Sequence, residues 1–273
     1  SGMASPRIIY GTAWKKDRTA DLVVQAIQSG FRAIDTACQP KHYQEALVGQ
    51  AVALCLRQGI LSSREELFLQ TKFTPISGQD MQKPLPYDFR ASLATQVNQS
   101  FATSQHNLGT PYVDSLVLHS PLRSHRDNME VWRAFEDLHS QGKARALGIS
   151  NCYDLRSFAA LWEEATIKPS YLQNRFYKDS NYDTALRQYC RERGVVYQSF
   201  WTLTANPHVI RGPCRDIAAR HRKTPEQVFF AFVISQGIVP LTGTTSGEHM
   251  LQDLASLDLT LSKEEILAIH GCL

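Results

Sequence analysis

Three ionisable residues come at the ends of short apolar runs, at positions where β-strands would end. They are Asp35, Lys72 and His119. An aspartate beside a lysine forms a charge-assisted pair, and a lysine held in this way favours the ionised form of a neighbouring phenol. Tyr43, just beyond Asp35, is the candidate phenol. A charged residue at a strand end is often only solvated, so this chemistry requires a fold that brings the side chains to one rim.

The elements that must position these residues alternate between strands and helices. The strand candidates are short and mostly apolar, as is typical of buried parallel strands. Segment 129–138 has an apolar residue at every third position, which indicates a helix. Glycines directly before several strands favour helix C-caps. The predicted strands are 8–12, 31–36, 67–72, 115–119, 145–150, 171–175, 195–200 and 237–242, and the capping glycines are Gly30, Gly142, Gly194 and Gly237.

The number of these strand–helix units predicts the fold class. About eight of them are what a closed barrel requires. The alternative, a doubly wound open sheet, usually has fewer strands and carries G-x-G-x-x-G after the first, a pattern that this sequence lacks. We therefore predict an α/β protein with a single (β/α)8 TIM barrel over 8–273 and its active site at the carboxyl ends of the strands. Residues 1–7 are predicted to be a lead-in, and Ser1-Gly2-Met3 is interpreted as a cleavage scar.

Composition and charge exclude several classes of partner. Apolar residues make up 43% of the chain and charged residues 20%, which predicts a soluble protein with a sizeable core. The 29 basic and 26 acidic residues give a net charge of +3, with no basic stripe, so nucleic acid is not expected. No apolar run is long enough to span a membrane, and the six cysteines have no metal-site spacing. We expect a cytoplasmic monomer or weak oligomer without a metal.

The loop after the eighth predicted strand is the candidate phosphate site. Residues 241–247 are small, carry free N–H and hydroxyl donors, and lead into a helix start. Barrels often bind phosphate after strands seven and eight, and helix N-termini attract anions. The alternative is an ordinary flexible surface turn.

Seven blocks of sequence, in order, resemble the signature of the aldo-keto reductases. They are Gly11-Thr12-Ala13-Trp14, Ile34-Asp35-Thr36-Ala37, Tyr43-Gln44-Glu45 with Val48-Gly49, Gln70-Thr71-Lys72, Leu118-His119-Ser120-Pro121, Gly148-Ile149-Ser150-Asn151 and Gln173-Asn174. The resemblance runs from about Ile8 to the end of the chain. It implies the (β/α)8 barrel and NADPH-dependent reduction of an aldehyde or ketone by direct hydride transfer.

The resemblance places the catalytic tetrad of this family on Asp35, Tyr43, Lys72 and His119. It implies that Tyr43 donates a proton to the carbonyl oxygen. A free phenol, with a pKa of about 10, matches neutral pH poorly, so Lys72, fixed by Asp35, is expected to lower that pKa. His119 would orient the carbonyl and share the developing negative charge. Trp14 would be a wall of the substrate pocket, its alternative being an ordinary core tryptophan.

The resemblance also places the cofactor site. Ser150, Asn151 and Gln173 would hold the nicotinamide carboxamide, although Asn151 could also cap the following helix. Phe200 would stack on the nicotinamide ring, and segment 202–206 would lie along the pyrophosphate. The complete set of implied cofactor residues is Ser150, Asn151, Gln173, Phe200, Thr202, Leu203, Thr242, Gly243, Thr244, Thr245, His249, Gln252 and Asp253.

The sequence departs from the common family pattern at the 2′-phosphate of NADPH. Leu241 stands where relatives have a lysine, and His249 stands where they have an arginine, which leaves His249 as the only nearby group that could become cationic. We therefore predict a modest preference for NADPH, with NADH also possible. The short stretch between Pro121 and Met129, and the absence of a long C-terminal loop after the helix near Ser262, predict an open substrate pocket.

Two other functions would use the same barrel. A regulatory subunit would bind NADP(H) only as a sensed ligand, but it has no need for the complete tetrad. An aldolase would use Lys72 as a Schiff base, which leaves Tyr43 and His119 without a role.

Overall fold

The computed structural model describes residues 4–273, in which eight parallel strands close into one barrel in the order β1 to β8. This confirms the predicted (β/α)8 fold. The interpretation of Ser1-Gly2-Met3 as a scar lies outside the described residues. The strands are β1 (Ile9–Gly11), β2 (Ala33–Asp35), β3 (Phe68–Phe73), β4 (Val113–Leu118), β5 (Ala144–Ser150), β6 (Tyr171–Arg175), β7 (Val196–Phe200) and β8 (Val239–Thr242).

Helices connect the strands and surround the barrel. The glycines predicted to precede strands follow helices, and Gly194 ends its helix at a φ of 69°, a left-handed conformation that favours glycine. The helices of the described residues are α1 (Thr19–Ser29), α2 (Glu45–Arg57), α3 (Leu93–Leu108), α4 (His125–Ser140), α5 (Leu155–Glu164), α6 (Thr184–Arg193), α7 (Pro207–Arg211), α8 (Pro213–His221), α9 (Pro225–Ser235), α10 (Gly247–Ala255) and α11 (Lys263–His270).

The main hydrophobic core lies between these helices and the barrel. Trp132 and Phe135 of α4 are fully buried in it, as the three-residue spacing of segment 129–138 predicts. Close packing of α2 on α3 requires Gly49, because a Cβ there would lie 2.0 Å from the carbonyl oxygen of Asn107. No helix within residues 4–273 is long and apolar enough to cross a membrane.

Inside the barrel, an apolar layer lies beneath a polar one. Side chains alternate along each strand, so Phe68 and Tyr171 face inward and pack together in the apolar layer. Two residues further along the same strands, Gln70 and Gln173 face inward as well, and Gln198 of β7 lies in register with Gln173. This polar layer supports the carboxyl ends of the strands, where the ionisable residues emerge.

Candidate active site

The structure brings Asp35 and Lys72 together at the carboxyl ends of neighbouring strands. Asp35 ends β2 and Lys72 is the next to last residue of β3, and their side chains form an ion pair with an Nζ–Oδ2 distance of 2.7 Å. Lys72 Nζ also donates to the carbonyl oxygen of Thr36 at 3.0 Å. Both side chains of the pair are buried, and a buried ion pair requires such additional hydrogen bonds to offset its desolvation.

The polar layer holds the other oxygen of Asp35. Oδ1 accepts hydrogen bonds from the amides of Gln70 at 2.8 Å and Gln173 at 3.0 Å. Both amides also donate to Gln198 Oε1. The carboxylate is therefore fixed on both oxygens, which orients it toward Lys72.

The Asp35 carboxylate keeps Lys72 charged. Burial alone would lower the pKa of Lys72, but Asp35 and Tyr43 together raise it above its ordinary value. An amine that stays protonated is a poor nucleophile, so this environment opposes the Schiff-base aldolase. It suits a lysine that acts through its charge.

Tyr43 lies between Lys72 and His119. Lys72 Nζ is 5.0 Å from the centroid of the Tyr43 ring, and the ring of His119 lies edge-on at a centroid distance of 5.8 Å. Burial raises the pKa of Tyr43, and the charge of Lys72 offsets only part of this increase. The expectation that Lys72 brings the phenol below its ordinary pKa is thus not met, because burial outweighs the ion. The phenol remains protonated at neutral pH, as a proton donor must.

His119 is the neutral member of the group. Burial, Lys72 and His42 hold the pKa of the imidazole well below its usual range. Its Nδ1 lies 2.6 Å from the hydroxyl oxygen of Thr74, a residue that the sequence analysis did not single out. A neutral ring retains one N–H, which can donate to a carbonyl oxygen.

Trp14 lies at the rim of the barrel. Its side chain is 59% exposed, which excludes the alternative of a core tryptophan. The Trp14 ring packs on the His42 ring at a centroid distance of 3.7 Å, and the backbone N–H of Trp14 donates to the His42 carbonyl. This packing places Trp14 against His42, the residue before Tyr43, and its role as a wall of the substrate pocket stays a prediction.

The chain matches the aldo/keto reductase family over residues 2–207. It belongs to that family. Protein REDOX 2 of Catharanthus roseus is 28% identical over 297 residues, which cover 99% of this chain and 86% of that protein. The crystal structure of an aldo/keto reductase from Brucella melitensis superposes with a TM-score of 0.82 at 25% identity, covering 98% of this chain and 95% of the other. A Bombyx mori aldo-keto reductase in complex with NADP, 23% identical, has the same fold, with a TM-score of 0.81 over 98% of this chain and 89% of that one.

Membership of this family makes the chain an oxidoreductase. The first group of cofactor residues that the resemblance implies lies on or directly after β5 and β6. Ser150 lies in register with Gln173. Asn151 has a left-handed φ of 55°, and its Nδ2 donates to the His119 carbonyl at 2.9 Å. Asn151 does not cap the next helix, because Asp154 does so by accepting from the Ser157 N–H. The Asn151 side chain instead links the implied carboxamide site to the tetrad.

On β7, Gln198 and Phe200 both face the barrel interior, because they are two positions apart on one strand. Gln198 lies in register with Gln173, and Phe200 lies in register with Arg175. Thr202 is buried, and its hydroxyl is bonded to Ser199. Leu203 is partly buried against the core. Thr202 can therefore offer a ligand little beyond its backbone.

Several polar groups of the loop between β8 and α10 already form hydrogen bonds to α10. The Thr242 hydroxyl donates to Asp253 Oδ2 at 2.7 Å, and burial raises the pKa of Asp253 to about 6. Ser246 caps α10 by accepting from the N–H of His249. Gly243, Thr245 and His249 are exposed, while Thr244 and Gln252 are partly exposed. These residues remain open to a ligand.

Two cations at the barrel mouth were missed from the sequence. Lys15 Nζ donates to the Gly243 carbonyl at 2.5 Å, so His249 is not the only group near this loop that can carry positive charge. The Arg175 guanidinium lies 4.2 Å from the ring centroid of Trp201. Its Nε is buried and, within residues 4–273, has no hydrogen-bond partner. Lys15 lies in the loop after β1, and Arg175 is the last residue of β6. Only closure of the barrel brings these two positions to the same side.

Proposed function

We propose that this aldo/keto reductase reduces an aldehyde or ketone to the alcohol, with Tyr43 as the proton donor. The observation that carries the proposal is the buried Lys72–Asp35 pair beside the protonated Tyr43, with the neutral His119 ring edge-on to it. These groups form a site that can give one proton to an oxygen and stabilise the charge developing there.

Each side chain has a separate task in this reaction. Tyr43 donates its hydroxyl proton to the carbonyl oxygen, and the charge of Lys72 stabilises the phenolate that remains. Asp35 holds Lys72 in place and keeps it charged. His119 donates a hydrogen bond to the carbonyl oxygen and so orients it.

The residues at the mouth fit a nicotinamide dinucleotide, and we infer that NADPH is preferred over NADH. When bound, the nicotinamide supplies the hydride. Ser150, Asn151 and Gln173 would hold the carboxamide. The Nε of Arg175, which has no hydrogen-bond partner among residues 4–273, and the ammonium of Lys15 beside Gly243 suit the phosphates. The bound NADP in the Bombyx mori structure supports this choice.

The direct test is the loss of NADPH absorbance when the purified protein is mixed with a panel of aldehydes, ketones and quinones. We expect turnover with at least one class. Sodium borohydride should not trap a covalent adduct, because Lys72 stays protonated. Absence of turnover across the panel, or a trapped adduct at Lys72, would refute the proposal.

The open mouth predicts a preference for large substrates. Trp14 is exposed and the connection from β4 to α4 spans only 119–124, so few side chains surround a small aldehyde. Affinity for a ligand depends on how much of its surface the pocket buries. We expect KM to fall from small aldehydes to polycyclic ketones, measured by steady-state kinetics. A KM that rises with substrate size would contradict this.

Lys15 is expected to contribute more to cofactor affinity than His249. A charge-assisted hydrogen bond is worth about 1.5–3 kcal/mol, so Lys15→Met should weaken NADPH binding by about 10- to 100-fold. His249→Ala should have a smaller effect, confined to NADPH, because the His249 side chain is exposed and solvent weakens its interactions. Tryptophan fluorescence titrations of both cofactors measure this. Unchanged NADPH affinity in Lys15→Met would show that the phosphates bind elsewhere.

A further inference from the structure

We propose that Thr74 is a positioning residue that holds His119 in the tautomer with its proton on Nε2. The inference rests on the proposed carbonyl reduction for its catalytic consequence, but not for the tautomer itself. Thr74 Oγ1 lies 2.6 Å from His119 Nδ1, and Thr74 is 2% exposed.

The direction of this hydrogen bond follows from the surroundings of the hydroxyl. Within residues 4–273, His119 Nδ1 is the only hydrogen-bond partner of Thr74 Oγ1. A buried hydroxyl that only accepted from Nδ1–H would leave its own proton without an acceptor, which costs free energy. Donation from the hydroxyl to Nδ1 satisfies both groups. The single proton of a neutral imidazole then lies on Nε2.

The tautomer matters because the two nitrogens act in opposite ways on a carbonyl oxygen. Nε2–H can donate to that oxygen, whereas an unprotonated Nε2 would present a lone pair to it. Because the pKa of His119 is low, the ring is neutral and carries a proton on only one of its two nitrogens. A hydroxyl that fixes Nδ1 as an acceptor therefore selects the form that binds the substrate.

The neighbouring strands fix the distance between Thr74 and His119. Phe73 is paired with Leu118 in the β3–β4 ladder, and the His119 N–H donates to the Phe73 carbonyl at 2.9 Å. Thr74 and His119 each directly follow this pair. They emerge side by side from adjacent strands.

The loop from β3 to α3 holds Thr74 in place. The Thr74 carbonyl accepts from the Tyr87 hydroxyl at 2.6 Å and from Gln79 Nε2 at 3.3 Å. Gly78 allows the loop to close over the threonine, since a Cβ at position 78 would lie 2.7 Å from Thr74 Cγ2. Packing against the Cγ2 methyl group restricts rotation of the Thr74 side chain and so keeps its hydroxyl facing the imidazole of His119.

The tautomer can be measured directly in the wild-type protein. In protein labelled with ¹⁵N-histidine, the signals missing from His119→Asn identify the ring nitrogens of His119. We expect Nδ1 to show the shift of an unprotonated nitrogen and Nε2 that of a protonated one. A protonated Nδ1 in the wild type would overturn the proposal, whether or not any variant folds.

Two substitutions separate the hydroxyl from the packing of the side chain. Thr74→Val keeps the shape and removes the donor, while Thr74→Ser keeps the donor. Removing one donor to a developing oxyanion typically costs about 10²- to 10³-fold in kcat, and Thr74→Val weakens the preference for this donor without removing it. We expect Thr74→Val to lower kcat by about 10- to 100-fold with unchanged NADPH affinity, and Thr74→Ser to restore most of it. The His119 signals should become averaged between tautomers only in Thr74→Val.

Thr110→Val is the matched control, because Thr110 is another buried threonine whose hydroxyl bonds to Tyr112 and Arg64, away from the site. It should leave kcat and the His119 signals unchanged. Equal losses in Thr74→Val and Thr74→Ser, or wild-type His119 signals in Thr74→Val, would overturn the proposal. If the wild type reduces no carbonyl compound, the proposed function fails, while the nitrogen signals still decide the role of Thr74.

Discussion

Tyr43→Phe is expected to lower kcat for carbonyl reduction by about 10²- to 10⁴-fold, the usual contribution of a general acid. Phenylalanine keeps the ring beside His119 and Lys72 and removes only the hydroxyl. Since Tyr43 is not among the residues proposed to bind the cofactor, NADPH affinity should stay close to that of the wild type. Stopped-flow kinetics and fluorescence titration measure the two quantities separately.

Tyr189→Phe provides the control for this experiment. The Tyr189 hydroxyl is buried on α6 without a hydrogen-bond partner in the described residues, so its removal should change neither kcat nor affinity. If Tyr43→Phe kept more than about a third of the wild-type kcat on every substrate, its loss would fall far short of the factor expected for a proton donor. Another group would then supply the proton.

The raised pKa of Tyr43 also sets the pH dependence of the wild type. Burial favours the neutral phenol, so the donor stays protonated from neutral pH into the alkaline range. A base-limited decline of kcat should therefore begin only at alkaline pH. In Tyr43→Phe, the residual activity should show no decline from this group.

Most of the barrel could be predicted from the sequence because its strands are separate apolar runs. Segment 171–175 coincides with β6, and 195–200 differs from β7 by one residue. The fourth strand starts at Val113, two residues earlier than predicted, and so includes Asp114. This carboxylate is buried, and it accepts a hydrogen bond from the Leu69 N–H of β3. A charged residue inside a strand breaks the apolar pattern on which the prediction depended.

That Asp35, Lys72 and His119 come together could be predicted as well, since they stand at strand ends within recognisable blocks, whereas Tyr43 comes from the loop after β2. Their catalytic roles stay predictions. The groups that position these residues could not be predicted. Gln70 and Gln198 are 128 positions apart in the sequence, and only barrel closure makes them partners. Lys15 reaches Gly243 across 228 positions for the same reason. Thr74 follows a strand end as His119 does, but a threonine there gives no signal that distinguishes it from a surface residue.

Lys72→Met is the second substitution with a large expected effect, and it acts on both activity and stability. Without the ammonium, nothing opposes the effect of burial on the Tyr43 phenol, and the phenolate left by proton transfer has no counter-charge. We expect kcat to fall by about 10²-fold or more. The substitution also leaves the Asp35 carboxylate buried with only the Gln70 and Gln173 amides, which should cost about 3–5 kcal/mol in the free energy of unfolding.

These two effects can be separated by removing the charge of Asp35 as well. In the double variant Asp35→Asn/Lys72→Met no buried charge is left unpaired, so the free energy of unfolding in urea should recover toward that of the wild type. Activity should stay lost, because no ammonium remains to stabilise the phenolate. Recovery of kcat together with stability would mean that Lys72 serves only to neutralise Asp35. Recovery of stability alone would show that the ammonium itself acts on Tyr43 during proton transfer.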